Sequence, residues 1–242
     1  MNILIVNPNT TRSMTSTIEA AARSVASANT EITALTSEFG PVSIEGYFDE
    51  AFSVPGLLAA MKDVDHFNAA IIACFDDTGL DAARCLTESP VIGIGEAAFH
   101  MASLIAGQFS VVTTLQRSVP AIKHNLTKYG LSSRCSGIRA SEIAVLDLER
   151  PGSDAQARIS EEIEQAIHHD RAEAIVLGCA GMADFADALS HKHGIPVLDG
   201  VACAVRLAEA LVGLGLKTSK AGGYAAPRAK AYTGLFSGFS PV

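Results

Sequence analysis

The feature that most constrains this chain is a series of short, almost uncharged aliphatic runs separated by segments of helical pattern. The runs fall at 3–6, 32–35, 69–73, 90–94, 109–113, 137–140, 174–177 and 196–198. Runs this short and apolar fit strands covered on both faces, the habit of parallel sheets flanked by helices. Residues 12–26 read as a helix after the first run, with Asn9, Thr10 or Thr11 as cap candidates. After Pro151-Gly152, Ser153 or Asp154 caps a second helix. Its Ala155, Ile159, Ile163, Ala166 and Ile167 share one face, leaving Glu161, Glu162 and Glu164 mostly outside. Strand–helix alternation along the whole chain predicts an α/β fold with right-handed crossovers.

The alternation repeats. Asn7 closes the first run and Thr114 follows the fifth; Cys74 lies 67 residues beyond Asn7, and Cys179 lies 65 beyond Thr114. Pro90 stands 16 residues past Cys74 and Pro196 stands 17 past Cys179, each opening a short strand, a Gly-containing turn and an Ala-rich helix (96–106 and 202–212). Such an echo predicts two pseudo-symmetric lobes, each with a mainly parallel sheet flanked by helices. The expected division is 1–95 plus 208–242 for the lobe that carries Cys74, and 96–207 for the lobe that carries Cys179. The tail from Lys217 reads as irregular and suited to wrapping back over the first lobe.

Composition narrows the class. With 242 residues and 48% hydrophobic content the chain can bury a large core and is not disordered. A membrane helix needs about 20 consecutive apolar residues, and no run approaches that. A net charge of −8 gives no electrostatic case for nucleic acid or anionic lipid. The N-terminal stretch is too short and uncharged for a signal peptide, so a cytoplasmic location is expected. Five cysteines without CxxC spacing argue against both a disulfide framework and structural zinc.

The cysteines are therefore packed small hydrophobes or catalytic thiols. For Cys85, Cys135 and Cys203 packing is the reading, since two of them fall inside helical segments. Cys74 and Cys179 differ: each ends an aliphatic strand, where ligands of open parallel sheets bind. Each precedes a short segment that opens a helix, where free N–H groups and the dipole would stabilise a thiolate. Pseudo-symmetry aims the two thiols at one another. A carbon acid held between them would lose a proton to one and gain a proton from the other on its opposite face, which is racemisation.

Together, several motifs resemble the aspartate/glutamate/hydantoin racemase superfamily, in its hydantoin racemase branch, which includes allantoin racemases. They are Asn7-Pro8-Asn9-Thr10, Cys74-Phe75-Asp76-Asp77-Thr78-Gly79, Pro90-Val91-Ile92-Gly93-Ile94-Gly95-Glu96-Ala97, Phe109-Ser110-Val111-Val112-Thr113-Thr114 and Gly178-Cys179-Ala180-Gly181-Met182. The resemblance covers nearly the whole chain. It implies racemisation without metal or organic cofactor, with Cys74 and Cys179 as acid and base, and a homo-oligomer. Glutamate racemases carry Asp-Ser at the Asn7-Pro8 position, Asn-Thr after the first cysteine and Thr-His after the second. Here Phe75-Asp76 and Ala180-Gly181 follow the cysteines, so a free acidic amino acid is not expected. A 5-monosubstituted hydantoin fits better. Its carbonyl and N–H groups would meet the Asn7 side chain, the Thr114 hydroxyl, and the segments Phe75-Asp76 and Ala180-Gly181. Allantoin is the alternative substrate.

Other signals are weaker. Gly93-Ile94-Gly95-Glu96-Ala97-Ala98 matches a dinucleotide fingerprint, but no acidic residue follows the next strand to hold a ribose. Asp76-Asp77 reads as a loop or a helix cap rather than a metal site. The histidines His168-His169 and His191 to His193 read as polar helix ends. A cofactor-free decarboxylase of the same architecture generally needs one cysteine, and the presence of both favours racemisation. A two-lobed binding protein is the non-enzymatic alternative.

Overall fold

A computed structural model describes residues 1–150 and 152–241, so Pro151 of the predicted Pro-Gly turn lies outside the described residues. Among the described residues, eight strands form two four-stranded parallel sheets with the same topology. The first contains β1 (Asn2–Asn7), β2 (Glu31–Thr36), β3 (Ala69–Ile72) and β4 (Val91–Gly93) in the order β2-β1-β3-β4. The second contains β5 (Phe109–Thr113), β6 (Cys135–Ala140), β7 (Ala174–Gly178) and β8 (Val197–Leu198) in the order β6-β5-β7-β8. All eight aliphatic runs are strands, and the shared order repeats the strand pattern of the first half in the second.

Strands β1, β3, β5 and β7 are buried almost throughout, which is why their sequences lack the polar alternation of a half-exposed sheet. The helices are α1 (Arg12–Val25), α2 (Tyr47–Lys62), α3 (Leu80–Leu86), α4 (Ile94–Ile105), α5 (Val119–Lys128), α6 (Ala155–His169), α7 (Ala186–His193) and α8 (Gly200–Gly213). Helix α6 buries Ala155, Ile159, Ile163 and Ala166, the face its periodicity predicts. No helix among the described residues is long and apolar enough to cross a membrane.

The two sheets share one core. Helices α4 and α8 pack against one another, with α8 also lying on β3 and β4 and α4 on β7. Phe99 of α4 stands edge-on to Phe75 with centroids 5.3 Å apart, and stacks on Phe109 of β5 at 6.0 Å. Such aromatic pairs contribute about 0.5–1.5 kcal/mol each beyond area burial. The tail turns back on the first sheet's side: the Thr218 amide donates to the Glu88 carbonyl and Lys220 Nζ to the Arg84 carbonyl.

Candidate active site

The carboxyl ends of both sheets face a cavity of about 40 Å³, a few times the roughly 10–15 Å³ that holds one water. The lobes line it in corresponding pairs. Pro8 and Asn9 follow β1, and Thr114 follows β5; Ile44 lies beyond β2, and Val145 beyond β6. Ala73-Cys74-Phe75 follow β3, and Gly178-Cys179-Ala180 end and follow β7. Met14, Asp76 and Ser118 complete the wall. Strand register pairs Val6 with Ile72 and Val112 with Leu177, so the counterpart of Asn7 is Thr113, one residue before Thr114.

Each cysteine opens the same turn. The Asp77 amide donates to the Cys74 carbonyl at 3.0 Å, and the Met182 amide to the Cys179 carbonyl at 3.1 Å. The Cys74 thiol also receives the Asp76 amide and lies 3.4 Å from the Thr78 hydroxyl, while Cys179 receives the Gly181 amide. Neither thiol sits at an α-helix N-terminus as the sequence suggests. Cys179 caps a 3₁₀ turn (Ala180–Phe185), and Cys74 precedes α3 by a further turn. Burial, reinforced by the Asp76 carboxyl, pushes both thiols up rather than down. Desolvation of a thiolate outweighs the few amide donors that reach it.

Asp76 and Asp77 point different ways. Asp76 lies between the cavity and an outer groove lined by Glu50, Thr78, His124 and Asn125. Burial, with Glu50 and Asp77 nearby, pushes it up to about 8. Asp77 turns away from the cavity and is buried. It accepts the amides of Gly95 at 2.9 Å and Glu96 at 2.8 Å, and the Tyr129 hydroxyl at 2.7 Å. Burial pushes it up to about 7 against the pull of these donors.

The other expected contacts divide. Thr114, Phe75, Asp76 and Ala180 line the cavity; Asn7 and Gly181 are not among its walls. The Asn7 amide nitrogen donates to Asn9 Oδ1, the Thr11 carbonyl and Thr15 Oγ1, bracing the loop into α1 from beneath. Asn9 takes the wall position instead. Phe75 is both wall and core, through its contact with Phe99. Ile44, Val145 and Ser118 escaped sequence reading because they lie on loops or short turns without periodicity; only the halves' correspondence could have paired Ile44 with Val145. Cys203 is buried in α8, and Cys85 and Cys135 are half-buried outside the cavity.

The loops over the cavity also join the lobes. The Val145 amide donates to Glu45 at 3.0 Å, and Thr17 of α1 donates to Glu149 at 2.9 Å. On the far side, Asn125 of α5 donates to the Asp76 carbonyl at 2.7 Å.

Two matched α/β halves thus each bring one thiol to the wall of a shared cavity. The family model for Asp/Glu/hydantoin racemase matches residues 3–208. A hydantoin racemase from Rhizobium meliloti is 48% identical over 236 residues, covering 97% of this chain and 98% of the relative. Another hydantoin racemase, from Pseudomonas sp. (strain NS671), is 44% identical over 241 residues, covering 99% and 97%. The solved allantoin racemase from Klebsiella pneumoniae superposes with a TM-score of 0.95 at 44% identity, covering 100% of both chains. The chain belongs to the Asp/Glu/hydantoin racemase family and is an isomerase of the racemase type.

Proposed function

We propose that the protein racemises 5-monosubstituted hydantoins by proton transfer at C5 between Cys74 and Cys179, without a cofactor. The observation that supports this most is that the two thiols, at corresponding strand ends of the two sheets, line one cavity. One cysteine, as thiolate, takes the C5 proton, and the C–H electron pair moves onto the adjacent ring carbonyl as an enolate. The other, as thiol, delivers a proton to the opposite face of C5, the enolate collapses, and the configuration inverts. The two sulfurs end with exchanged protonation states, so the next turnover in the same direction needs proton exchange with solvent. The Thr114 and Ser118 hydroxyls in the wall are the donors closest in chemistry to what an enolate oxygen needs.

The wall also bears on the substrate. Among its described residues it has no Lys, Arg or His, and it contains Asp76. A free α-carboxylate would find no cation there and would face a like charge whenever Asp76 is ionised. A neutral ring avoids both penalties. Met14, Ile44 and Val145 favour an apolar C5 substituent, which places hydantoins derived from apolar amino acids ahead of allantoin. The likeness to the Klebsiella allantoin racemase keeps allantoin as the second reading. Chiral chromatography with L-5-benzylhydantoin, an alkyl hydantoin, S-allantoin and L-glutamate decides between them. The benzyl compound should turn over fastest and glutamate not at all. Allantoin as the best substrate would move the assignment to the second reading, and inertness towards every hydantoin would overturn both.

A further inference from the structure

The lobes cap corresponding helices in different ways, and the difference reaches the catalytic turn. Matching Pro90 to Pro196 aligns Gly93 with Asp199 and the amides of Gly95 and Glu96 with those of Val201 and Ala202. In the second lobe Asp199 caps its own helix, accepting the Val201 amide at 3.0 Å and the Ala202 amide at 2.7 Å. In the first lobe the corresponding amides are held by Asp77, which belongs to the turn after Cys74. A side chain at Gly93 would collide with the Asp77 carboxylate, so the local cap is absent where the distant one enters. The backbone at Gly93 (φ −85°, ψ 144°) nevertheless resembles that at Asp199 (φ −93°, ψ 133°) and would accept an aspartate. Asp77 also holds the Tyr129 hydroxyl at the end of α5 and has a left-handed backbone, φ 52°. Its counterpart three residues after Cys179 is Met182, which is buried in an apolar cluster with Leu177 and Leu189.

We propose that Asp77 is a positioning residue for Cys74, fixing the Cys74 turn against α4 and α5, and that it governs one of the two proton-transfer faces. The inference rests on the two-cysteine reading. Because enantiomers are equal in energy, impairing either cysteine slows racemisation equally in both directions. Exchange of the C5 hydrogen with retention separates the faces, since each enantiomer presents its hydrogen to one cysteine.

The test measures C5 deuterium uptake from D₂O by L- and D-5-benzylhydantoin near neutral pH, against an enzyme-free control. Cys74→Ser and Cys179→Ser should each leave a different enantiomer exchanging. Asp77→Gly, which suits the left-handed backbone, should lower kcat/KM for racemisation about 10-fold or more. It should also shift the ratio of exchange rates at least 10-fold towards the enantiomer that Cys74→Ser still exchanges. The double variant Asp77→Gly/Gly93→Asp restores a cap of the second lobe's kind. It should regain thermal stability while keeping the skewed ratio, which separates positioning from helix capping. If Asp77→Gly does not fold, Asp77→Asn, which keeps one acceptor, should show a smaller skew of the same sign. Equal slowing of C5 exchange in both enantiomers, or a ratio restored in the double variant, overturns the proposal. If the two serine variants fail to favour opposite enantiomers, the two-cysteine reading itself falls and takes the proposal with it.

Discussion

In the first lobe a buried carboxylate holds the turn after the cysteine; in the second, a buried thioether does. Asp77 accepts three hydrogen bonds, two from the start of α4 and one from Tyr129, each with a required direction. Met182 has only packing, in a cluster built from the second sheet's outer face, α6 and α7. Directional bonds fix orientation, whereas an apolar contact fixes position and tolerates reorientation. Two halves with the same strand order therefore support their thiols by unlike means. The symmetry of the sheets does not extend to the residues that hold the turns after the two cysteines.

The largest effect that would break this comparison is at the sulfurs. Cys74→Ser and Cys179→Ser should each lower racemisation roughly 10²–10⁴-fold, the range for loss of a positioned acid or base. Chiral chromatography reads it, and a fall confined to one variant would mean that only one face is served. Next comes the apolar anchor. Met182→Ala should destabilise the fold by about 2–5 kcal/mol in denaturant unfolding, while Met182→Leu should cost less than about 1.5 kcal/mol. Equal losses in the two variants would show that something other than packed volume holds that turn. Smaller again, Asp199→Ala should cost about 0.5–2 kcal/mol, as loss of a helix cap does, and leave the ratio of exchange rates unchanged. A skewed ratio in that variant would show that the two caps are not distinct in function.

The subtlest prediction concerns pH. Asp76 is raised from 3.8 to about 8 in the folded chain, chiefly by burial. Between these values the folded state holds a proton that the unfolded chain has released, so stability falls as pH rises from about 4 to about 8. Asp77, raised to about 7, adds a slope of the same sign over much of that window. Asp76→Asn should flatten part of the decline in urea unfolding measured across that range. Ionised Asp76 also pushes both thiols up, so the same variant should move the rising limb of kcat/KM to lower pH. A limb that stays in place would separate Asp76 from the thiols.

Much of the fold was legible because strands buried on both faces write themselves as uninterrupted aliphatic runs. The run at 69–73 against β3 (Ala69–Ile72) is typical of how closely the ends agree. Helix α2 was not legible: Pro55 interrupts its interior, and its apolar residues do not gather on one face of the sequence pattern. The cysteine positions could be read from strand ends, but their electrostatics could not. The upward push on both thiols comes from the cavity walls and the nearby Asp76, not from the helix starts that the sequence suggests. The orientation of Asn7 was not legible, because a polar residue at a strand end can face either the cavity or the next loop, and here its amide nitrogen braces the loop. The Gly93-Ile94-Gly95 pattern was legible as a turn, but its cause was not. Gly95 lies against the Phe75 carbonyl and Gly93 against Asp77, so the glycines admit the turn that follows Cys74.

The central claim is that two cysteines act on opposite faces of C5, and deuterium placement early in the wild-type reaction tests it most directly. L-5-Benzylhydantoin would be racemised in D₂O to a few per cent conversion near neutral pH, the enantiomers separated, and C5 deuterium measured in each. The account predicts deuterium in essentially all of the D product and very little in the recovered L substrate, because one sulfur removes hydrogen and the other delivers solvent-derived deuterium. Protium carried into the product, with deuterium appearing in the recovered substrate at a comparable rate, would mean that a single base serves both faces and would contradict it.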